Sequence, residues 1–300
     1  MPHVALVTGG GGFAGRHLVE HLRARGEDVV APTRTEVDLL DPAGAREAIA
    51  QAEPARVFHL AALASVGRSW EEPRRTLAEN QEMALNLLEA VNQEAGEARV
   101  LIASSGEVYG PPAELPVTEN APLRPQSPYA LSKASTDMLG ALYSDARGLA
   151  LVRTRAFNHA GPGQSDTYVV GTLTRQVAEA EAAGQGEVTL HTGNPGSARD
   201  FIDVRDVVAA YELAISLEPG AYNVASERAV AVSELIEIVR THTQLDVRHE
   251  VDPERVREHD VREVRGSAAK LRDATGWEPR IPLEQTVSDA LAEWRRVLAR

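Results

Sequence analysis

The chain contains no cysteine, which excludes disulfides and thiol nucleophiles and is compatible with a reducing compartment. It also lacks an apolar run long enough to span a bilayer, and its N-terminus has no basic segment followed by a hydrophobic one. Neither a membrane anchor nor a signal peptide is therefore expected, and the reading is a cytoplasmic protein. Basic residues are in the minority: 31 Lys and Arg face 44 Asp and Glu, for a net charge of −13. That balance disfavours nonspecific attachment to nucleic acid or an anionic membrane, while leaving room for an acidic ligand where a few arginines gather. Repeats and low-complexity segments are missing too. What remains is a globular composition, 43% hydrophobic and 25% charged over 300 residues, enough for one large or two small domains.

Val4 to Thr8 is a short apolar run ending at Gly9-Gly10-Gly11-Gly12-Phe13-Ala14-Gly15, and an amphipathic helix follows, with Leu18, Val19 and Leu22 on one side. A phosphate-binding loop requires strand, glycine turn and helix in that order. Small residues let the backbone approach a pyrophosphate, and the helix N-terminus offers N–H groups. The spacing of Gly9, Gly12 and Gly15 departs from Gly-x-Gly-x-x-Gly, and a flexible turn is the alternative. A second strand at 28–31 leads to Pro32-Thr33-Arg34 where an NAD site would place an acid on the ribose. Arg34 thus meets the 2′-phosphate of NADP or is a surface arginine. Asp38-Leu39 falls where a third strand end would touch the adenine edge. Arg56 to Ala62 reads as a fourth buried strand, ending in Leu60, Ala61 and Ala62 packed closely beside a cofactor, with His59 as a hydrogen-bonded strand-end residue.

Residues 73–95 read as a helix with Leu77, Ala84, Leu85, Leu88 and Val91 on its apolar stripe. The next strand, Val100 to Ala103, runs into Ser104-Ser105-Gly106-Glu107-Val108-Tyr109-Gly110. Open α/β sheets bind ligands at the C-terminal ends of their strands, and a serine hydroxyl there can hydrogen-bond a carbonyl oxygen undergoing reduction. A proline-rich loop then delivers Pro128-Tyr129-Ala130-Leu131-Ser132-Lys133. Tyr129 and Lys133, four apart, share one helix face. A phenol has a reference pKa of about 10, and an ammonium one turn away favours the phenolate, so the pair is expected to exchange a proton near neutral pH. By itself that spacing describes many solvated helix faces. Its weight comes from the order of glycine loop, strand-end serines and Tyr-Lys helix along alternating strands and helices, which implies a parallel sheet with helices on both faces.

In that order and spacing, Thr8-Gly9-x-x-Gly12-Phe13-x-Gly15, Asp38-Leu39, His59-x-Ala61-Ala62, Ser104-Ser105-x-x-Val108-Tyr109-Gly110 and Tyr129-x-x-x-Lys133 resemble the extended short-chain dehydrogenase/reductase family, of the epimerase/dehydratase type. Arg155-Ala156-Phe157-Asn158-His159-Ala160-Gly161-Pro162-Gly163-Gln164, Leu123-Arg124-Pro125-x-Ser127-Pro128-Tyr129 and Thr275-Gly276-Trp277-x-Pro279-x-Ile281-Pro282-Leu283 are most similar to its GDP-4-keto-6-deoxy-D-mannose reductases. The resemblance implies a Rossmann-like doubly wound sheet over 1–157 plus about 200–225. A smaller α/β nucleotide-sugar domain would take 158–199 plus about 226–300. It implies NADP(H) or NAD(H) as cofactor, a GDP-linked sugar as substrate, a homodimer, and no metal. Ser105 matches the catalytic Ser/Thr, Tyr129 the proton donor and Lys133 the residue that also holds the nicotinamide ribose, with Glu107 as a further acid or base. Asn158, Arg199 and Arg257 match residues that face the nucleotide diphosphate, and Asn80 matches a cofactor-side residue although Gln81-Glu82 follows it where relatives often carry Gly-Thr. The 257–262 segment lacks two prolines of the family pattern. The implied reaction is reduction of a C4 ketone; the alternatives are a 4,6-dehydratase or C4 epimerase with recycled cofactor, and a dinucleotide sensor without catalysis.

In the second half, Ser233 is expected to cap a helix over 234–243, the 283–300 segment to form the last helix, and Tyr222 to Ala225 to return to the sheet as a strand.

Overall fold

Short apolar runs that end in small residues form the central strands, and the amphipathic segments between them form the covering helices. The structure is a computed structural model and describes residues 4–256 and 261–299. In chain order the first half runs β1 (Val4–Thr8), α1 (Phe13–Ala24), β2 (Asp28–Val30), α2 (Pro42–Ala52), β3 (Arg56–His59), α3 (Val66–Glu71), α4 (Pro73–Glu94), β4 (Arg99–Ala103), α5 (Pro128–Arg147) and β5 (Leu151–Ala156). The second half continues with β6 (Asn158–Ala160), α6 (Val169–Ala182), β7 (Glu187–Thr192), β8 (Ala198–Asp203), α7 (Val204–Ala214), β9 (Gly220–Val224), β10 (Ala229–Ala231), α8 (Val232–Thr241), β11 (Asp246–Val251), β12 (Glu263–Val264), α9 (Ala269–Thr275) and α10 (Leu283–Leu298). Six strands pair in parallel in the order β2-β1-β3-β4-β5-β9. This is the Rossmann-like doubly wound sheet expected, with β9 closing its far edge as anticipated for Tyr222 to Val224.

From β1 the chain steps one way to β2 and the other way to β3, so the winding reverses between β1 and β3, where open α/β sheets leave a crevice outside their carboxyl ends. Two apolar clusters flank the sheet: one gathers Leu18, Leu22, Val207 and Tyr211, the other Ile49, Leu88, Val91 and Leu151. A third cluster, with Leu173, Val177, Leu235, Val239 and Leu291, packs α6, α8 and α10 together. Beside it β8 pairs with β6, β10 and β12, and β7 pairs with β11.

Three local expectations need correction. Asp38-Leu39 is not a strand end: it lies in the β2–α2 connection, where the Asp38 carboxylate accepts the Leu40 N–H at 3.1 Å and Leu39 is buried in the core. The third strand is Arg56–His59. Ser233 does not cap α8. That helix begins at Val232 after Ala231, and the Ser233 N–H is taken by the Pro195 carbonyl at 3.0 Å. On α4, Leu85 is 41% exposed while Thr76, Asn80 and Asn86 are buried. Polar side chains with specific partners, rather than a purely apolar stripe, set this helix's inner face.

Candidate active site

The loops after β1, β3 and β4 meet the first turns of α1 and α5 at the crevice. Gly9 has φ +72°, and a Cβ there would fall 2.6 Å from the Ala61 backbone nitrogen; a Cβ on Gly15 would fall 2.0 Å from the Gly9 carbonyl oxygen. The glycines therefore let the turn fold against its own helix and against the Ala61 loop. The Gly12 N–H donates to the Gly9 carbonyl at 2.9 Å, and Gly12, as N-cap of α1, brings no side chain to cover the first-turn N–H groups at Phe13, Ala14 and Gly15. A bare helix N-terminus in such a cradle fits a dinucleotide pyrophosphate. The Leu60–Ala61 backbone lies against Gly9 on the opposite side, with Leu60 packed on the core. Arg34 is exposed beyond β2 with its guanidinium 3.7 Å from Glu79 on α4.

Asn80 does not present its amide to the crevice. It is 2% exposed; its Oδ1 accepts the Leu63 N–H at 2.7 Å, and its Nδ2 donates to the Leu63 carbonyl and to Ser132 Oγ at 2.9 Å. Ser132 in turn donates to the Tyr129 carbonyl at 2.8 Å. Asn80 thus ties the cofactor-side loop to the helix carrying Tyr129, so its role is to position both. His59 is buried and hydrogen-bonds Thr8 Oγ1 through Nδ1 at 2.8 Å. Burial, reinforced by the nearby Lys133 charge, pulls its pKa down to about 3, so it stays a neutral strand-end residue, as the sequence suggested.

Ser127 starts α5 by accepting the Ala130 N–H at 3.0 Å, and Pro128 fits the first helical position because it has no N–H to lose. Tyr129 and Lys133 then fall on one face of the first turns. The Tyr129 phenol lies near enough to the Ser105 hydroxyl for that hydroxyl to favour its ionised form, and Ser105 Oγ accepts the Glu107 N–H at 3.2 Å. Glu107, Tyr168 and Tyr211 lie close enough to influence the phenol electrostatically. Ser104, beside Ser105, is buried, and its hydroxyl has no hydrogen-bond partner among the described residues. Buried polar atoms are nearly always paired, so a hydroxyl left over at the sheet's carboxyl end fits a ligand that supplies a polar partner.

The expected electrostatics of the pair need revision. Burial pushes the Tyr129 phenol well above its ordinary value, and the nearby Ser105 hydroxyl offsets only part of this. The Lys133 ammonium, 7% exposed, donates to the Ala103 carbonyl at 2.8 Å, and burial pulls its pKa down to about 8 from 10.5. Desolvation is the dominant influence on both groups, and Tyr129 is held as the protonated phenol.

Lys133 has a measurable consequence. The unfolded chain keeps this amine protonated to about pH 10.4, whereas the folded chain gives up the proton near 8. Burying the ammonium therefore costs stability below pH 8, and the cost shrinks as pH rises from 8 towards 10. A shift of this size corresponds to about 3 kcal/mol, less about 1 kcal/mol for the hydrogen bond to Ala103. The Lys133→Met variant is expected to melt several degrees above wild type at pH 7 and to converge with it by about pH 10. Differential scanning calorimetry across that range reads this directly, and activity should be lost throughout.

Asn158 opens β6 in an exposed position directly after β5. Arg199, half-buried on β8, donates to the Ala198 carbonyl at 2.9 Å and the Val261 carbonyl at 2.7 Å. Arg257 lies outside the described residues. Sequence reasoning missed Tyr168, which precedes α6 and donates its hydroxyl to the Ala64 carbonyl at 3.2 Å. An aromatic just before an amphipathic helix has no periodicity to mark it. Also missed is a buried polar chain behind Tyr129. Arg155 on β5 grips Asp137 on α5 with two bonds of 2.9 Å and reaches Tyr109 Oη at 3.0 Å; Tyr109 donates to Asn223 Oδ1 on β9 at 2.7 Å.

Comparison with known proteins agrees with this geometry. Residues 32–290 match the family model described as GDP-mannose 4,6 dehydratase. The GDP-6-deoxy-D-mannose reductase of Pseudomonas aeruginosa is 37% identical over 293 residues, covering 96% of each chain. A solved structure of RMD from Pseudomonas aeruginosa complexed with NADPH superimposes with a TM-score of 0.89 at 35% identity, covering 98% of this chain and 99% of that one. A Thermus thermophilus UDP-glucose 4-epimerase complex with NAD gives 0.86 at 32% identity over 97% and 99%. Among the described residues no helix is long and apolar enough to cross a membrane, and no group of His, Asp and Glu could hold a metal ion.

Proposed function

The chain belongs to the GDP-mannose 4,6 dehydratase family of NAD(P)-dependent nucleotide-sugar enzymes, and within it we propose that it reduces the C4 ketone of GDP-4-keto-6-deoxy-D-mannose to GDP-D-rhamnose. The observation that carries this reading is the buried Tyr129 phenol beside the Ser105 hydroxyl, its pKa raised by burial so that it is held as the acid. Ketone reduction requires an acid in that state.

A bound dihydronicotinamide would supply the hydride to the carbonyl carbon. In this reading the Ser105 and Tyr129 hydroxyls both serve the carbonyl oxygen, polarising it as it gains charge. Tyr129 then gives that oxygen its proton, and the resulting phenolate is the form the neighbouring Lys133 ammonium favours. Lys133, fixed through Ala103 to the end of β4, is also placed to hold the nicotinamide ribose. Ser104 lies where it can serve the same ligand. Asn158 and Arg199, with Arg257, are assigned to the nucleotide diphosphate, and the unit built on α6, α8 and α10 to the nucleotide sugar.

Incubation with GDP-, UDP- and dTDP-4-keto-6-deoxy sugars while following NADPH and NADH absorbance tests the assignment. Stoichiometric oxidation with the GDP sugar is expected. A second reading is favoured by Glu107, whose charge acts on Tyr129: a 4,6-dehydratase uses an acid or base beside its tyrosine. Such an enzyme, like an epimerase, recycles its cofactor, so turnover without net oxidation of added NAD(P)H would replace the reductase with that reading.

We further propose a cytoplasmic homodimer. Leu131, Met138 and Leu142 stand in one row on the outer face of α5, Met138 at 63% and Leu142 at 59% exposure, with Leu85 on the adjoining α4 and Trp70 on α3 also exposed. An apolar strip of this kind on a soluble chain marks a protein interface. Light scattering should give twice the chain mass for wild type and a single chain mass for Met138→Glu/Leu142→Glu. A monomeric wild type would remove the proposal.

A further inference from the structure

Resting on the nucleotide-sugar reading above, we propose that Arg16, His17 and Tyr168 are positioning residues. They pin the segment 158–168 to the cofactor-binding loops, so that an occupied dinucleotide site raises affinity for the nucleotide sugar at Asn158. The segment leaves the central sheet at Asn158 and reaches α6 at Tyr168. At its near end it rests on the first turn of α1, the turn whose N–H groups face the cradle. Phe13 stacks on His159 with centroids 5.8 Å apart and an interplanar angle of 11°. His17 Nε2 bonds the Pro162 carbonyl at 3.0 Å and sets its ring edge-on to Phe13. Arg16 lies over the Phe13 ring and donates to the Gly163 carbonyl. Gly163 has φ +80°, a left-handed conformation that favours glycine, and this turn brings its carbonyl to Arg16.

At its far end the Tyr168 hydroxyl reaches the Ala64 carbonyl, on the loop that Asn80 ties to Leu63. Both anchors therefore stand on elements a bound dinucleotide would touch: the glycine loop and the wall after β3. The exposed Asn158 opens the segment directly before the first anchor, on β6 opposite Phe201 of β8. A ligand that orders those two loops orders the strap, and the second ligand then loses less freedom on binding. Linkage makes the effect reciprocal.

Calorimetric titration of GDP, UDP and dTDP, each with and without saturating NADPH, tests this on wild type, Arg16→Ala, Arg16→Lys and Tyr168→Phe. Arg25→Ala serves as control, because Arg25 lies at the other end of α1 beside Glu212. NADPH is expected to tighten binding of the preferred nucleotide about tenfold in wild type and the control. In Arg16→Ala and Tyr168→Phe that factor should fall towards one, with KM for the nucleotide sugar raised about tenfold and NADPH affinity changed less than about twofold, while in Arg16→Ala kcat also changes less than about twofold and Arg16→Lys is partly restored. Variants that keep the full coupling factor, or that lose NADPH affinity instead, overturn the proposal. Preference for UDP over GDP would overturn the GDP assignment while the coupling factor is still read with UDP; no binding of any nucleotide would overturn both.

Discussion

Tyr129→Phe is expected to lower turnover by about 10²- to 10⁴-fold while leaving dinucleotide affinity within about twofold of wild type. The substitution removes one oxygen and keeps the ring, so α5, the Ser127 cap and the Lys133 contact with Ala103 stay in place. What goes is the proton donor, the hydroxyl that lies beside Ser105. Because only the transition state develops charge on the substrate oxygen, the loss should fall on kcat, with KM little changed. The phenol's raised pKa adds a pH signature. Tyr129 stays protonated across the neutral range, so its own titration should not limit the reductive direction there. Lys133 titrates first, near 8, and kcat/KM for reduction should decline as pH rises through that value, when the charge that favours the nascent phenolate is lost. Near-wild-type turnover in Tyr129→Phe, measured by single-turnover oxidation of NADPH, would remove Tyr129 from the chemistry altogether.

The chemistry-bearing parts of the site could be read because each rests on short-range pattern. The glycine turn between an apolar run and an amphipathic helix, the serines ending β4 and the Tyr-Lys spacing after Ser127-Pro128 are set within a few residues of one another. The doubly wound sheet followed from the same alternation. What escaped depends on contacts between distant segments. Asn80 reads as a cofactor-side residue, and its bonds to Leu63 and Ser132, 17 and 52 positions away, have no local pattern to announce them. Asp38-Leu39 resembled a strand end, but the chain turns there and the next strand begins only at Arg56. Ser233 has a capping residue's chemistry, but Pro195 claims its N–H. The Tyr129–Lys133 spacing suggested a lowered phenol pKa, and burial, invisible in the sequence, reversed the sign. One signal lay unused: the chain has only two lysines, Lys133 and Lys270, among 31 basic residues. Arginine cannot lose its proton in this range whereas a buried lysine can, so a lone lysine four residues after a tyrosine already pointed to a position where titration matters.

Asp137→Ala is expected to be the most destabilising of the single substitutions considered, by about 3–5 kcal/mol. Asp137 is 1% exposed on α5, four residues beyond Lys133, and its two carboxylate oxygens face Arg155 Nε and Nη2 at 2.9 Å each. Removing the carboxylate leaves a guanidinium buried at 6% exposure with its charge unmatched. The damage should spread along the chain of bonds, because Arg155 also holds Tyr109 Oη and the Glu119 carbonyl, and the Glu119 carboxylate accepts the Asn223 N–H at 2.8 Å. Those contacts fix the Gly106–Tyr109 turn, and with it Ser105, against the helix that carries Tyr129. Activity should therefore fall together with stability. The comparison that separates charge burial from simple loss of packing is the double variant Asp137→Leu/Arg155→Met. With both charges gone the buried Arg155 charge is no longer unmatched, although Arg153 loses its 3.4 Å contact with Asp137 and the Glu119 carbonyl loses its donor, so about half of the lost stability should return. Thermal unfolding of wild type, Asp137→Leu, Arg155→Met and the double variant closes the cycle and measures the coupling. If Asp137→Ala costs under about 1 kcal/mol, or if the double variant is as unstable as the two single losses added together, the pair is not what holds Ser105 against Tyr129.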